Sequence, residues 1–414
     1  MQENKNIWIL NHYAGIPNMP GGTRHYDFGK ELIKRGYNVA VFASSFHHGL
    51  HKELKLNGNK KCKIEKVDGV NFIWIKTFPY KKNDWRRVLN MISYAWRVYW
   101  AGRRIAKKNK NIKKPDIVIG SSVHLLAVLA AYWLAKKNRA KFIMEVRDLW
   151  PQTLIDVGKF KKNSLAVKVL KLLEKFLYVK AQKIIITFPR GGDYIASLGI
   201  NKEKIVWISN GVDLIRFKNF EKENIKGCFK VIYFGSHGLA NALNVILDAA
   251  LILQREKYES IKFVFIGAGT EKKNLIGYKN KLGLRNVDFL NPVEKQQSYR
   301  VLTEAGALIL SLKKSDIYKY GISLNKLYDY MAAAKPIIFV GDSINNPINE
   351  VKCGISVPPE NSEKMAEDII KLYKMPSRER EEMGSRGRKY VEKYHSIPVL
   401  VDKLEEVIRE VGNE

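Results

Sequence analysis

Short apolar runs alternate with stretches of helical apolar spacing along most of this chain, the pattern of strands buried on both faces and joined by helices. The first run is Ile7 to Leu10; a loop ending Pro20-Gly21-Gly22-Thr23-Arg24-His25 follows, and Tyr26 to Lys34 then has the spacing of a helix. The plan returns further on, where Phe229 to Phe234 reads as a strand, Gly235-Ser236-His237-Gly238 as a loop and Ala242 to Leu253 as a helix. Ile117 to Ile119 and Phe142 to Val146 supply later strands of the first half. Phe263 to Ile266, running into Gly267-Ala268-Gly269, and Ala307 to Leu312 do so for the second. Strand, glycine loop and helix are the unit of a doubly wound parallel sheet, so the predicted class is α/β with two Rossmann-like domains. The length of 414 residues agrees, because single cores stop growing at roughly 250–300 residues. Two such domains facing each other would put the C-terminal ends of both sheets around one cleft, where open α/β sheets bind ligands.

The most informative segment runs from Ser323 to Phe339, because it reads as a helix start that holds an anion. Ser323 and Asn325 are cap-forming types, which leaves free backbone N–H groups and the positive dipole end facing forward. Lys326 adds a full charge, and Asp329, three residues on and on the same face, can accept two hydroxyl protons beside it. A nucleoside diphosphate with its ribose fits that set; a capped amphipathic helix without a ligand fits the same residues. Pro336 ends the helix, and Ile337 to Val340 read as a buried strand ending at Gly341. Gly21 and Gly22 let backbone approach a phosphate or simply make a tight turn, and Arg24 could add charge there. Glu145, Arg147 and Asp148 close an otherwise apolar strand, and charges at such a place need a ligand or an internal ion pair. His124, after Gly120-Ser121-Ser122, is either a ligand group or a satisfied histidine at a helix start.

The Ser323–Phe339 segment resembles the nucleotide-sugar motif of the family 4 glycosyltransferases, retaining enzymes of the GT-B fold, in the version of bacterial transferases that build O-antigen and other lipid-linked glycans. The common pattern has two acids separated by seven residues; Asp329 matches the second, while Gly321 stands at the first and a Ser-x-x-Lys start replaces it. Phe142 to Pro151 is similar to the Glu-x-Arg-Asp-Leu-Trp-Pro element of that subgroup, and Gly235 to Gly238 to its Gly-x-His-Gly loop. Asn210-Gly211-Val212-Asp213 resembles the interdomain segment and precedes a charged stretch from Lys218 to Lys230, so the expected division is 1–214, 215–395 and a terminal helix within 396–414 that packs back on the first domain. The resemblance implies transfer of a hexose or N-acetylhexosamine-type sugar, with retention, from a nucleoside diphosphate, UDP by analogy, to a polyprenyl-diphosphate-linked saccharide. It implies no metal and no cofactor, the nucleotide sugar being a substrate. Donor contacts are expected at Gly21, Gly22, Arg24, Gly235, His237, Gly238, Gly267, Gly269, Lys313, Ser323, Asn325, Lys326 and Asp329. Acceptor contacts are expected at His25, His124, Glu145, Arg147 and Asp148, and catalytic roles at Arg147, Lys326 and Asp329.

Charge adds a partner. The net charge is +31, and residues 1–200 hold 38 Lys plus Arg against 13 Asp plus Glu, a net of +25. Such a half is drawn to an anionic partner. Lys81 to Lys114 contains twelve basic residues and one acid, Asp84. Within it Val88, Leu89, Ile92, Ala95, Trp96 and Tyr99 recur at helical spacing. Trp85, Arg86, Arg87, Trp96, Trp100, Arg103 and Arg104 suit an anionic membrane surface, where each basic residue contributes about 1 kcal/mol. A peripheral protein on the cytoplasmic face of the inner membrane follows, since no apolar run reaches the roughly 18 residues of a spanning helix and no signal region opens the chain. Three cysteines without metal or redox spacing fit a reducing compartment. The competing readings are a hydrolysing UDP-N-acetylglucosamine 2-epimerase, which has no use for a basic aromatic helix, and a nucleic-acid-binding protein. The second lacks a zinc finger, an RNP-like motif or a basic tail, so no nucleic acid is expected.

Overall fold

A computed structural model describes residues 5–82, 84–156, 161, 163–217 and 228–413. The chain forms two compact units, the first of residues 1–16, 22–209 and 397–414, the second of residues 17–21 and 210–396. Most of the charged stretch read at Lys218 to Lys230 lies outside the described residues.

Unit 1 holds strands β1 (Asn6–Leu10), β2 (Asn38–Ser44), the short ribbon β3 (Phe46–His47) and β4 (Lys52–Glu53), then β5 (Cys62–Val67), β6 (Val70–Ile75), β7 (Ile117–Ser121), β8 (Lys141–Val146), β9 (Lys183–Ile186) and β10 (Ile205–Trp207). Its main sheet has eight strands in the order β10-β9-β8-β7-β1-β2-β6-β5, parallel except for the β5–β6 hairpin. Because β1, β7 and β8 are covered on both faces, Ile7, Ile9, Val118, Ile143 and Met144 are fully buried. Five helices matter here: α1 (Arg24–Lys34), α2 (Trp85–Lys108), α3 (Leu125–Asn138), α4 (Gln152–Asp156) and α5 (Leu165–Lys180). Asp84 caps α2 by accepting the Arg86 N–H. The inward stripe of α2 is Asn90, Met91, Tyr94, Val98, Gly102 and Ile105. Gly102 brings α2 close to α3, since a Cβ there would lie 2.8 Å from Leu134 Cδ1.

The terminal helix, Ile397–Asn413, belongs to unit 1 and buries Leu400, Val401, Leu404, Val407, Ile408 and Val411. Arg35 at the end of α1 pairs with its Asp402 at 2.7 Å and Glu405 at 2.9 Å. Among the described residues no helix is long and apolar enough to cross a membrane.

Unit 2 is a six-stranded sheet, β13-β12-β11-β14-β15-β16, from β11 (Phe229–Phe234), β12 (Ile261–Ile266), β13 (Val287–Leu290), β14 (Ala307–Ser311), β15 (Ile337–Val340) and β16 (Gly354–Val357). Every pairing in it is parallel. The helix read from Ser323 spans Asn325–Ala332. It ends before Pro336 because the residue preceding a proline avoids the helical region, and the turn is made by Ala334 at φ +54°.

Candidate functional site

In unit 2 the loops after β11, β12 and β14 meet the start of the helix Asn325–Ala332. Lys326 is the centre of this set. Its Nζ donates to Tyr233 Oη at 2.9 Å and Asn241 Oδ1 at 2.7 Å, and it lies 4.6 Å from the Tyr233 ring centroid. Burial pushes its pKa down to about 7. Gly235 stands beside it at φ +152°, a backbone conformation that side-chain-bearing residues rarely adopt.

The capping expected of Ser323 and Asn325 is corrected here. Ser323 and Asn325 do not cap the helix: Leu324 holds the cap position with no side-chain bond. Ser323 Oγ instead accepts the Asn210 N–H at 2.9 Å, tying it to the 210–213 segment. Asp329 is buried and ion-paired with Lys295, a partner that no sequence pattern announced. The N–H of Lys295 bonds Met19 C=O at 3.1 Å, which anchors the stretch leading to Gly21. Gly267 and Gly269 serve backbone packing, because Cβ atoms there would lie 1.9 Å from Gly235 O and 2.3 Å from His237 O. The His237 N–H bonds Ala268 C=O at 2.9 Å in the same double loop. His237 is wholly buried, with no hydrogen bond to either ring nitrogen, and burial, reinforced by Lys272 and Lys326, lowers its pKa to about 4. Gly238 precedes the 3-10 turn Leu239–Asn241. Lys313 is exposed, its N–H on Ala240 C=O at 2.9 Å.

In unit 1 the corresponding ends of β1, β7 and β8 carry a buried polar network. Register sets Ser121 beside Glu145, and Ser121 Oγ donates to Glu145 Oε2 at 2.7 Å. Arg24 Nε reaches Glu145 Oε1 at 2.8 Å, and its other nitrogens donate to Ser209 C=O at 2.5 Å and Ile208 C=O at 3.0 Å. His25 bonds Glu145 Oε2 and Asn11 Nδ2, each at 2.8 Å. Burial raises the Glu145 pKa, but Arg24 and His25 outweigh it and hold the carboxyl well below the usual range. Arg24, His25 and Glu145, expected as ligand contacts, therefore hold one another in a buried network. Gly22 precedes this network in the loop. Arg147 is half-buried and Asp148 exposed just beyond β8. They do not form the simple strand-end pair with Glu145 that the sequence allowed, since Glu145 is taken by Arg24.

His124 caps α3: its Nδ1 accepts the Ala127 N–H at 3.2 Å, and its Nε2 lies 2.7 Å from His12 Nδ1. Burial, with a smaller push from Arg87, takes His124 down to about 3, and burial and then His124 put His12 well below its ordinary value. An unfolded histidine titrates near 6.5. The pair's neutral form is therefore stabilising above that pH and loses this as pH falls from about 6.5 towards 3. Urea unfolding at pH 7.5 and 5 is expected to show a lower midpoint at pH 5, with the difference reduced in His124→Asn; an unchanged difference would count against the pair. His12 lies two residues beyond the end of β1, a position that could have flagged it.

On the surface of unit 1, α2 presents Trp85, Val88, Ile92, Trp96 and Trp100 outward, Trp96 being 65% exposed. Arg103 lies 4.9 Å from the Trp100 ring centroid, Arg86 pairs with Asp84 at 2.8 Å, and Arg104 is exposed. Arg87 is the correction: it continues the inward stripe towards His12. A second outward stripe, unread in the sequence, lies on α5: Leu165, Val169, Leu172, Phe176 and Val179, with Leu165 77% and Leu172 71% exposed. Its signal was masked because both faces of α5 are apolar. Trp133 of α3 is also exposed, and its neighbour Tyr132 packs on Phe176 at 5.4 Å. The one acid of α2, α3 and α5, Glu174, is buried against Tyr178 and Tyr194 at 2.9 and 3.0 Å.

A cleft of 580 Å³ lined by Tyr37, Asn38, Asn71 and Asn109 lies where β2 and β6 begin. Open α/β sheets use the opposite ends of their strands, so size alone does not make it the site.

Comparison with known proteins agrees with this fold. Residues 21–216 match the Glycosyltransferase Family 4 model and residues 215–390 the Glycosyl transferases group 1 model. "Probable glycosyltransferase WbjE" of Pseudomonas aeruginosa is 23% identical over 322 residues, 74% of this chain and 78% of that protein. Sucrose-phosphate synthase from Thermosynechococcus elongatus superposes with a TM-score of 0.75 at 14% identity, covering 98% of this chain and 99% of that one. WaaG, a glycosyltransferase involved in lipopolysaccharide biosynthesis, gives 0.68 at 14% identity over 97% and 99%. HepE of Anabaena, solved with UDP and glucose, gives 0.66 at 13% over 98% and 99%. The chain is a glycosyltransferase of the GT-B fold, belonging to the family 4 and group 1 glycosyltransferases through its first and second halves.

Proposed function

We propose that the protein transfers a hexosyl or N-acetylhexosaminyl unit, with retention and without a metal, from a UDP-sugar to a polyprenyl-diphosphate-linked saccharide in the assembly of a surface glycan such as O-antigen. The observation that carries the donor half is Lys326, held between Tyr233 and Asn241 at the C-terminal end of a parallel sheet, where it can neutralise a departing diphosphate. Asp329 would accept ribose hydroxyls through Oδ1, the oxygen that Lys295 leaves. HepE, solved with UDP-glucose, supports UDP as the nucleotide. Arg147 and Asp148 are the acceptor-side groups in unit 1. Calorimetric titration with UDP, GDP and their sugars tests the donor half. Saturable UDP binding is expected, and failure of every nucleotide would remove the reading's main support.

The outward stripes of α2 and α5, helices whose single acid, Glu174, is buried, support a peripheral position on an anionic leaflet, the cytoplasmic face of the inner membrane. Ile92→Glu combined with Trp96→Glu is expected to cut co-sedimentation with phosphatidylglycerol vesicles about tenfold, at about 1 kcal/mol or more per site, while UDP affinity is unchanged. Equal partition of both proteins would sink the membrane placement.

A further inference from the structure

We propose that unit 1 contains a second oxyanion site, built from Arg87, His12 and Tyr13, which takes the diphosphate of the acceptor; this rests on the lipid-linked acceptor proposed above. The argument begins with one proton. His124 Nδ1 accepts the Ala127 N–H, so the neutral ring carries its hydrogen on Nε2 and donates it to His12 Nδ1. The hydrogen of neutral His12 is then on Nε2. That atom is buried and has no hydrogen-bond partner. A histidine pair thus delivers a fixed N–H donor to a place where nothing in the protein receives it.

Arg87 supplies the charge. It occupies the inward face of α2, three, four and seven residues before Asn90, Met91 and Tyr94, all buried. Its Nε is buried and unpartnered, and among the described residues no carboxylate stands within ion-pair distance of it, although its neighbour Arg86 has Asp84 at 2.8 Å. The Tyr13 hydroxyl is buried beside Arg87 and Tyr80, which are its hydrogen-bonding neighbours, so it ties Arg87 into this pocket. The Tyr13 ring is held in place between His12 at 4.5 Å and His48 at 4.3 Å, and His12 is stacked on Tyr94 at 4.2 Å.

Two donors, His12 Nε2 and Arg87 Nε, are therefore unmet. Leaving a buried donor unpaired is costly, and an oxygen-rich anion is the ligand that satisfies several N–H and O–H groups at once. A guanidinium suits phosphate because its planar donors match two phosphate oxygens. The outward stripe of α2 begins at Trp85, two residues from Arg87. A phosphate tethered to a chain in the leaflet would thus meet the inward face of the helix that rests on it.

The test uses the full chain with the donor site first saturated by UDP. Inorganic pyrophosphate and farnesyl diphosphate are then titrated against wild type, Arg87→Gln, Arg87→Lys and Tyr13→Phe, read by calorimetry and phosphorus NMR. We expect both probes to bind with UDP present, farnesyl diphosphate more tightly. Arg87→Gln should weaken them at least tenfold, Arg87→Lys and Tyr13→Phe less, with UDP affinity unchanged throughout. Absence of binding to the UDP-saturated wild type overturns the proposal, as does equal binding to a folded Arg87→Gln. Equal affinity for the two probes overturns the assignment to a lipid-linked acceptor. If UDP itself fails to bind, the donor reading fails separately. Arg87→Gln keeps a polar side chain at a position that makes no ion pair among the described residues, though Asp148 feels its charge, and should fold; Tyr13→Phe, which removes only a hydroxyl, gives a second check on the site.

Discussion

Replacing Lys326 by methionine is expected to lower kcat/KM about 100- to 1,000-fold, the loss usual when a preorganised electrostatic group is removed from a transition state. Methionine keeps much of the side chain's length and apolar stem, so the packing against Tyr233 should survive while the charge does not. The same substitution should abolish a pH effect on nucleotide binding. In the free protein burial holds Lys326 at about 7, so the ammonium is lost as pH rises through neutrality. A bound diphosphate restores the charge, and binding above that pH therefore takes up a proton. UDP affinity should fall by up to about tenfold per pH unit above 7, and calorimetry in buffers of different ionisation enthalpy should report the uptake. Undiminished turnover and a flat wild-type pH profile would together exclude Lys326 from the phosphate site.

The largest stability effect is expected from Glu145→Ala. Its carboxylate receives Arg24, His25 and Ser121, and its removal leaves the Arg24 guanidinium buried without its counter-charge. Breaking one side of such a pair costs about 3–5 kcal/mol, which for a unit of this size lowers the melting temperature by roughly 10 °C. Ser121→Ala, which removes one neutral donor, should cost about 1 kcal/mol. Differential scanning calorimetry resolves the two. An unchanged melting temperature with a raised acceptor KM would instead return Glu145 to ligand binding.

Strands were legible because both faces are covered: β11 and β15 have the predicted limits, β14 stops one residue short of Leu312, and β1, β7, β8 and β12 extend by one or two residues, where polar ends such as Asn6 and Lys141 continue the ladder. Site residues were legible by place rather than by contact. Glu145 and Arg24 stand at strand and loop ends, as their surroundings imply, yet their partners lie far apart in sequence, and no local pattern carries such a pairing. Lys295 escaped notice because its loop has neither periodicity nor a turn signal; only the fold sets it against Asp329. The α2 helix was read with the correct outward face except at Arg87, where residue type pointed to water and helical phase pointed inward. Phase was the better guide, since a 3.6-residue period fixes direction whatever the side chain.

The helix Ile397–Asn413 closes unit 1 although all of unit 2 precedes it in the chain. During synthesis the first unit therefore emerges without this packing face, and Arg35 without Asp402 and Glu405, until residues 397–413 have been made. Unit 2 has every residue it needs before that moment. Domains usually mature from the N-terminus as they leave the ribosome; here the order of completion is inverted, and the half with the exposed apolar stripes is the one kept waiting.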